Sequence, residues 1–125
     1  MPIISEVKGC GSYLPKNFVT NHELAKIIDT SDEWITERTG IKERRYVEDG
    51  VGPADLSIHA VETALANAGL NVIDIDMIIF ATSTPDYYAP GSGCILQEKM
   101  GFKTIGALDI RVQCSGFIYG LSIAH

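Results

Sequence analysis

The sequence is short of several residues that mark common classes of protein. Cysteine occurs only three times, at positions 10, 94 and 114. An odd number spread this widely, without a CxxC pair, neither frames disulfides nor ligates a metal, and it fits a reducing compartment such as the cytoplasm. Positive charge is scarce as well: 10 Lys and Arg stand against 16 Asp and Glu, a net charge of −6. That balance excludes a general nucleic-acid or anionic-membrane surface and leaves room only for a local basic patch. No apolar run reaches the ~18 residues of a membrane span. The opening MPIISEVKGCGSYLP lacks the basic start and apolar stretch of a signal peptide, so neither is expected. With 46% hydrophobic and 21% charged residues the chain is nevertheless too apolar to be disordered. Its 125 residues fit one domain.

What is present is an alternation of strand and helix patterns. Residues 3–10 mix β-branched and charged side chains and run into Gly9, Gly11 and Pro15, which reads as a first strand ending in a turn. Thr20 with Glu23 forms a capping box, and Leu24, Ala25, Ile27 and Ile28 recur at helical spacing up to Asp29. A second box, Thr30 with Glu33, opens a helix over residues 31–38 that Gly40 should close. Residues 41–47 form a charged, strand-like stretch. Pro53 then suits the first turn of a longer helix, whose stripe of Leu56, Ile58, Ala60, Val61, Ala64, Leu65 and Ala68 ends at Gly69.

The run IDMIIFAT at residues 75–82 is almost continuously apolar, the pattern of a strand covered on both faces. A turn-rich loop follows, and Cys94, Ile95, Leu96 and Met100 continue as a helix closed by Gly101. Residues 105–110 predict another buried strand, and SGFIYGLSIAH the start of a helix packed under it. The order implies an α/β class. Because the last apolar pattern reaches His125 with no cap, a chain cut from something longer is expected.

Cys114 falls between the end of a buried strand and the start of a helix. Backbone N–H groups there are unpaired, and the helix dipole favours an anion. A thiol in that place is biased towards thiolate, and the same N–H groups suit the oxyanion of an attacked thioester, with Gly116 allowing close approach of a substrate. The alternative is a small buried apolar residue, which is also the reading for Cys10 and for Cys94, placed on the apolar side of its helix. Trp34 and Arg38, four residues apart, share a helix face. They suit either a clamp for a flat, phosphate-bearing ligand or a packed indole with a guanidinium lying across it. Lys42, Arg44 and Arg45 follow as a basic cluster, read as phosphate-binding or as a solvated face. His22, His59 and His125 have no spacing that suits a catalytic base.

The blocks GCGSYLP, DTSDEWITERTGIKERR and CSGF, in this order and spacing, resemble the N-terminal part of the β-ketoacyl-acyl carrier protein synthase III family of thiolase-fold condensing enzymes. The resemblance covers residues 3–125. It implies a thiolase-like αβαβα architecture. Residues 1–125 then form a partial N-terminal domain with a mixed sheet flanked by helices, the C-terminal half being absent. It further implies that Cys114 takes an acyl group from acyl-CoA and condenses it with malonyl-acyl carrier protein, losing carbon dioxide, to initiate fatty-acid synthesis.

Residue by residue, the resemblance sets Trp34 against the adenine of CoA and Arg38 against its phosphate, with Thr30 close by. Ala89, after Tyr87 and Tyr88, stands where an aromatic residue closes the partner subunit's acyl pocket in many short-primer members, so primers longer than acetyl are expected. The histidine and asparagine that serve decarboxylation belong to the C-terminal half. No metal and no cofactor beyond acyl-CoA as substrate is implied, and neither nucleic acid nor membrane is a partner. A cytoplasmic homodimer is expected, and low solubility of the isolated piece from its uncovered sheet edge and helix faces. Related enzymes with another second substrate, leading to alkylquinolones, polyketide starters, head-to-head condensation products or hydroxymethylglutaryl-CoA, remain alternatives, as does a truncated non-catalytic fragment.

Overall fold

Ile35 is the buried apolar side chain of the smaller of two units into which the chain divides, residues Leu14–Val51. The computed structural model describes residues 5–125. In this unit β1 (Asn17–Thr20) pairs antiparallel with a later strand and leads directly into α1 (Asn21–Leu24). The capping box expected at Thr20 is formed: its N–H donates to Glu23 Oε2 at 2.8 Å, and its hydroxyl accepts the Glu23 N–H at 3.2 Å. The helix does not run on to Asp29. Lys26 and Ile27 reach back only to Glu23 and Leu24, the tighter three-residue spacing, and Ile27 and Ile28 stay exposed. Their helical periodicity has no apolar surface to bury against in this unit, so packing does not extend the turn.

α2 (Asp32–Thr39) is capped by Ser31, whose hydroxyl accepts the Trp34 N–H at 3.1 Å, one residue later than the Thr30 cap read from the sequence. It ends at Gly40, as expected. The charged stretch that follows becomes β2 (Glu43–Tyr46), with Asn17 opposite Tyr46 and Thr20 opposite Glu43. Much of the basic cluster is structural. Arg44 donates to Val19 O at 3.1 Å and to Asn21 Oδ1 at 2.5 Å. Arg45 donates to Pro15 O and Lys16 O, pairs with Glu43 at 2.6 Å and lies over the Phe18 ring.

The larger unit holds residues Met1–Tyr13 and Gly52–His125. α3 (Pro53–Ala68) begins with Pro53 and ends at Gly69, both as expected. Residues 5–10 form no strand; the expected strand's first residues, 3 and 4, lie outside the described residues. The backbone instead lies on α3. A Cβ at Gly9 would meet Ala64 O and Ala68 Cβ, and one at Gly11 would meet Ala60 O and Ala64 N, so only glycine allows this approach. Asn67 Nδ2 fixes the contact by donating to Cys10 O at 2.8 Å.

β3 (Met77–Ala81) runs parallel to β4 (Gly106–Ile110), Met77 opposite Gly106 and Ala81 opposite Ile110, with α4 (Ser92–Met100) in the crossover. Side chains alternate along β3. Ile78 and Phe80 close the core with Ala54 of α3 and Leu96 of α4. On the other face lies α5 (Gly116–Ala124), where a Cβ at Gly116 would sit 3.0 Å from Ala81 Cβ. That two-sided cover explains why IDMIIFAT shows no alternation. Parallel and antiparallel pairings therefore both occur, in separate two-stranded sheets. α5 leaves Phe117, Ile118 and Tyr119 exposed. Among the described residues no helix is long and apolar enough to cross a membrane.

Candidate functional site

The corner between β4 and α5 is built from Val112 and a single turn of 3-10 helix, Gln113–Ser115. Gln113 has φ 45, a left-handed conformation that a non-glycine residue holds only when its surroundings enforce it. Cys114 follows and is exposed, not the buried apolar residue of the alternative reading. The amides around it are less free than the sequence suggests. The Ser115 N–H donates to Val112 O at 3.0 Å and the Gly116 N–H to Gln113 O, because the tight turn consumes them. The Cys114 N–H itself has no acceptor among the described residues. Gly116 is buried against β3, so its small size serves packing, not approach of a substrate.

The loop between β3 and α4 carries Tyr87, Tyr88 and Ala89, all exposed. Sequence reasoning passed over the residues that hold it. Asp86 accepts the Ala54 N–H at the start of α3, 3.2 Å from Oδ2, while its own N–H donates to the buried Ser92 hydroxyl at 3.1 Å. Asp109 on β4 accepts the Gly93 N–H at 3.1 Å and so supplies the side-chain cap that Gly91 cannot. Neither carboxylate left a local signal, because both reach the helix starts from elements distant in sequence instead of from the preceding residue. Arg111 lies over the Tyr88 ring at 4.8 Å, tying this loop to the chain that leads into Cys114. Across α3 and α4, Lys99 pairs with Asp55. The hydrogen bond from Lys99, and then that from the Gly52 N–H, hold the Asp55 carboxyl below the usual carboxylate range, and Asp55 in turn raises Lys99.

Asp109→Ala should cost ~1–2 kcal/mol, because an N-terminal amide loses a charged acceptor. Urea unfolding measures this, and Asp109→Asn, which keeps an acceptor, should recover at least half.

In the smaller unit α2 brings Trp34 and Arg38 together, the guanidinium carbon 4.6 Å from the indole centroid. The indole is 52% exposed, so it is not a packing anchor even though the arginine lies across it. It forms one wall of an open groove of about 570 Å³ with Ile28, Asp29, Thr30 and Ser31. Thr30, displaced from the helix cap, thus lines the same groove as Trp34. Cys94 and Cys10 are exposed; the buried face of α4 is Ser92, Gly93 and Leu96, which turns Cys94 outward. The histidines pair locally: His22 lies 4.0 Å from Asp32, His59 stacks near Tyr13, and His125 shares a hydrogen bond with Ser5. Among the described residues no cluster of three or more metal-ligating side chains occurs.

No protein-family model matches the chain. Individual proteins do. The β-ketoacyl-acyl carrier protein synthase III of Caldanaerobacter subterraneus subsp. tengcongensis is 52% identical over 98% of the chain. The chain is homologous to part of β-ketoacyl-acyl carrier protein synthase III. It spans about 37% of that relative's length. The crystal structure of the Aquifex aeolicus 3-oxoacyl-acyl carrier protein synthase III superposes on 95% of the chain and 38% of its own with a TM-score of 0.90 and 47% identity. A priming β-ketosynthase of a polyketide pathway superposes with a TM-score of 0.89 and 34% identity, over 95% of the chain and 36% of its own. The fold is accordingly part of a thiolase-like α/β architecture, the one that the resemblance implies.

Proposed function

We propose that the chain is the acyl-accepting segment of a condensing acyltransferase of the β-ketoacyl-acyl carrier protein synthase III type. The observation that carries this reading is the exposed Cys114 at a strand-to-helix corner, its own N–H without an acceptor among the described residues, in a chain 52% identical to part of such an enzyme. The deprotonated Sγ of Cys114 attacks the carbonyl carbon of acyl-CoA. As the oxygen gains charge, the Cys114 N–H donates to it in this reading. The carbonyl reforms, the bond to the CoA sulfur breaks, and CoA leaves as a thiol carrying the equivalent of the proton the cysteine lost. Malonyl-acyl carrier protein then loses carbon dioxide. Its enolate carbon attacks the acyl thioester, and Cys114 Sγ departs as the carbon–carbon bond forms.

Every atom and electron pair comes from the two thioesters, so acyl-CoA is a substrate and no further cofactor is required. Trp34 offers a face for the adenine of CoA, Arg38 a charge for its phosphate, and Thr30 a hydroxyl in the same groove. Ala89 leaves the end of the acyl pocket open in this reading, which favours primers longer than acetyl. A homodimer working in the cytoplasm completes the proposal. Intact-protein mass after incubation with acetyl-CoA and with octanoyl-CoA tests it. One acyl adduct per chain, at least as abundant from octanoyl as from acetyl donor, is expected. No adduct from either overturns the reading in favour of a non-catalytic fragment, and an adduct from acetyl-CoA alone overturns the role of Ala89. A second reading keeps the acyl-cysteine and changes the acceptor, and rests on the 34% identity to a polyketide-priming synthase.

A further inference from the structure

The groove beside Trp34 depends on how α2 is rotated, and little apolar packing sets that rotation. α2 has eight residues and buries only Ile35, too short a helix and too small a contact to fix itself. The side chain that grips it belongs to Asn21, at the start of α1, which is fully buried. Asn21 Nδ2 donates to Asp32 Oδ1 at 2.8 Å and to Ile41 O at 2.7 Å, and lies 3.4 Å from Thr36 Oγ1. Its Oδ1 accepts from Arg44 Nη2 at 2.5 Å, and its backbone N–H donates to Lys42 O at 3.2 Å. One amide thereby joins the first turn of α2, its middle, the chain beyond its end and β2.

Asp32 and Thr36 are four residues apart and form one face of α2. Trp34 and Arg38 each lie two residues further on, about 200° around the axis, so they emerge on the side away from Asn21. Fixing the Asp32 and Thr36 face therefore aims the indole and the guanidinium. The chemistry demands asparagine. Asp32 Oδ1 and Ile41 O both need a donor while Arg44 needs an acceptor, and an amide of this length presents both. An aspartate would set two carboxylates against each other, and a glutamine is one methylene too long.

We propose that Asn21 is a positioning residue for the nucleotide end of CoA: it sets the rotation of α2 and hence the Trp34 and Arg38 clamp. This rests on the CoA reading of the preceding subsection. Trp34 is the single tryptophan of the sequence, so its emission reports the clamp directly. The full chain is titrated with CoA and with pantetheine, which lacks the nucleotide, as wild type, as Asn21→Asp and as Asn21→Asp combined with Asp32→Asn. Cys114 acylation by acetyl-CoA and by acetyl-pantetheine is followed in parallel.

CoA should quench the wild-type emission and pantetheine should not. Asn21→Asp should weaken the CoA response about tenfold and slow acylation from sub-saturating acetyl-CoA by a similar factor, with acylation from acetyl-pantetheine unchanged. The double exchange, which restores a donor–acceptor pair between positions 21 and 32 but leaves Ile41 O without its donor, should recover part of the CoA affinity. Equal losses with both donors, or no recovery in the double variant, would reduce Asn21 to a structural role and overturn the inference. A wild-type response that Asn21→Asp leaves intact overturns it alone. Wild-type emission indifferent to CoA overturns it together with the CoA reading.

Discussion

Cys114→Ala should abolish the acyl adduct completely, with acetyl-CoA and octanoyl-CoA alike. The variant is needed because adduct mass alone does not locate the site: Cys10, Cys94 and Cys114 are all exposed thiols. Cys114 stands at a strand-to-helix corner where its own N–H has no acceptor among the described residues, and in the proposed chemistry that N–H donates to the developing oxyanion. Cys10 lies on the glycine-rich stretch against α3, its carbonyl occupied by Asn67, and Cys94 projects from the outer side of α4. A direct chemical labelling of exposed thiols would mark all three, whereas thioester exchange at the proposed site should mark one. The substitution leaves the fold untouched, since Cys114 buries little surface, so the far-UV spectrum and unfolding midpoint should match the wild type. An adduct that survives in Cys114→Ala and disappears in Cys94→Ala or Cys10→Ala would move the nucleophile and sink the proposed chemistry.

The second large effect is on stability. Phe80→Ala should destabilise the larger unit by ~3–5 kcal/mol, the cost of removing a buried aromatic ring and leaving part of its volume empty. Phe80 is 8% exposed and packs with Ala54, Ile78 and Leu96. These neighbours have little freedom to collapse into the gap. Asp86 holds the start of α3, Asp109 the start of α4, and Lys99 pairs with Asp55 between them. With so small a core, a loss of this size is a large share of the ~5–15 kcal/mol typical of a domain. Urea unfolding followed by far-UV circular dichroism measures it. A loss under ~1 kcal/mol would mean that the ring is not tightly enclosed and that β3 is held by its pairing with β4 instead.

Local rules written in adjacent residues were readable without coordinates. The Thr20 capping box, Pro53 at the head of α3, the glycines that end α2, α3 and α4, and the apolar runs that became β3 and β4 each follow from spacing within about a turn of chain. The order GCGSYLP, DTSDEW and CSGF likewise sufficed to point to the family, because a motif order survives whether or not every element is placed correctly. Of the candidate site, the identities of Cys114, Trp34 and Arg38 were legible, as was the closeness of the last two, four residues apart on one helix.

What depends on distant residues was not. Residues 3–10 read as a strand from their mix of β-branched and charged side chains, but a strand needs a partner, and over residues 5–10 Gly9, with Gly11 beyond, lays the backbone on α3 instead. Ile27 and Ile28 keep helical spacing where no surface meets them. Gly116 packs on Ala81, while the amides beside Cys114 are spent in a tight turn that leaves its own N–H without an acceptor among the described residues. Asn21, Asp86 and Asp109 carry no local signature at all. Each is a short polar side chain whose partners lie across gaps in sequence, so its bonds exist only once the chain has folded. The sequence determined the elements and the reactive side chains. The tertiary structure alone decided which amides remain free and which faces the clamp presents, because hydrogen-bond satisfaction is settled between elements, not within them.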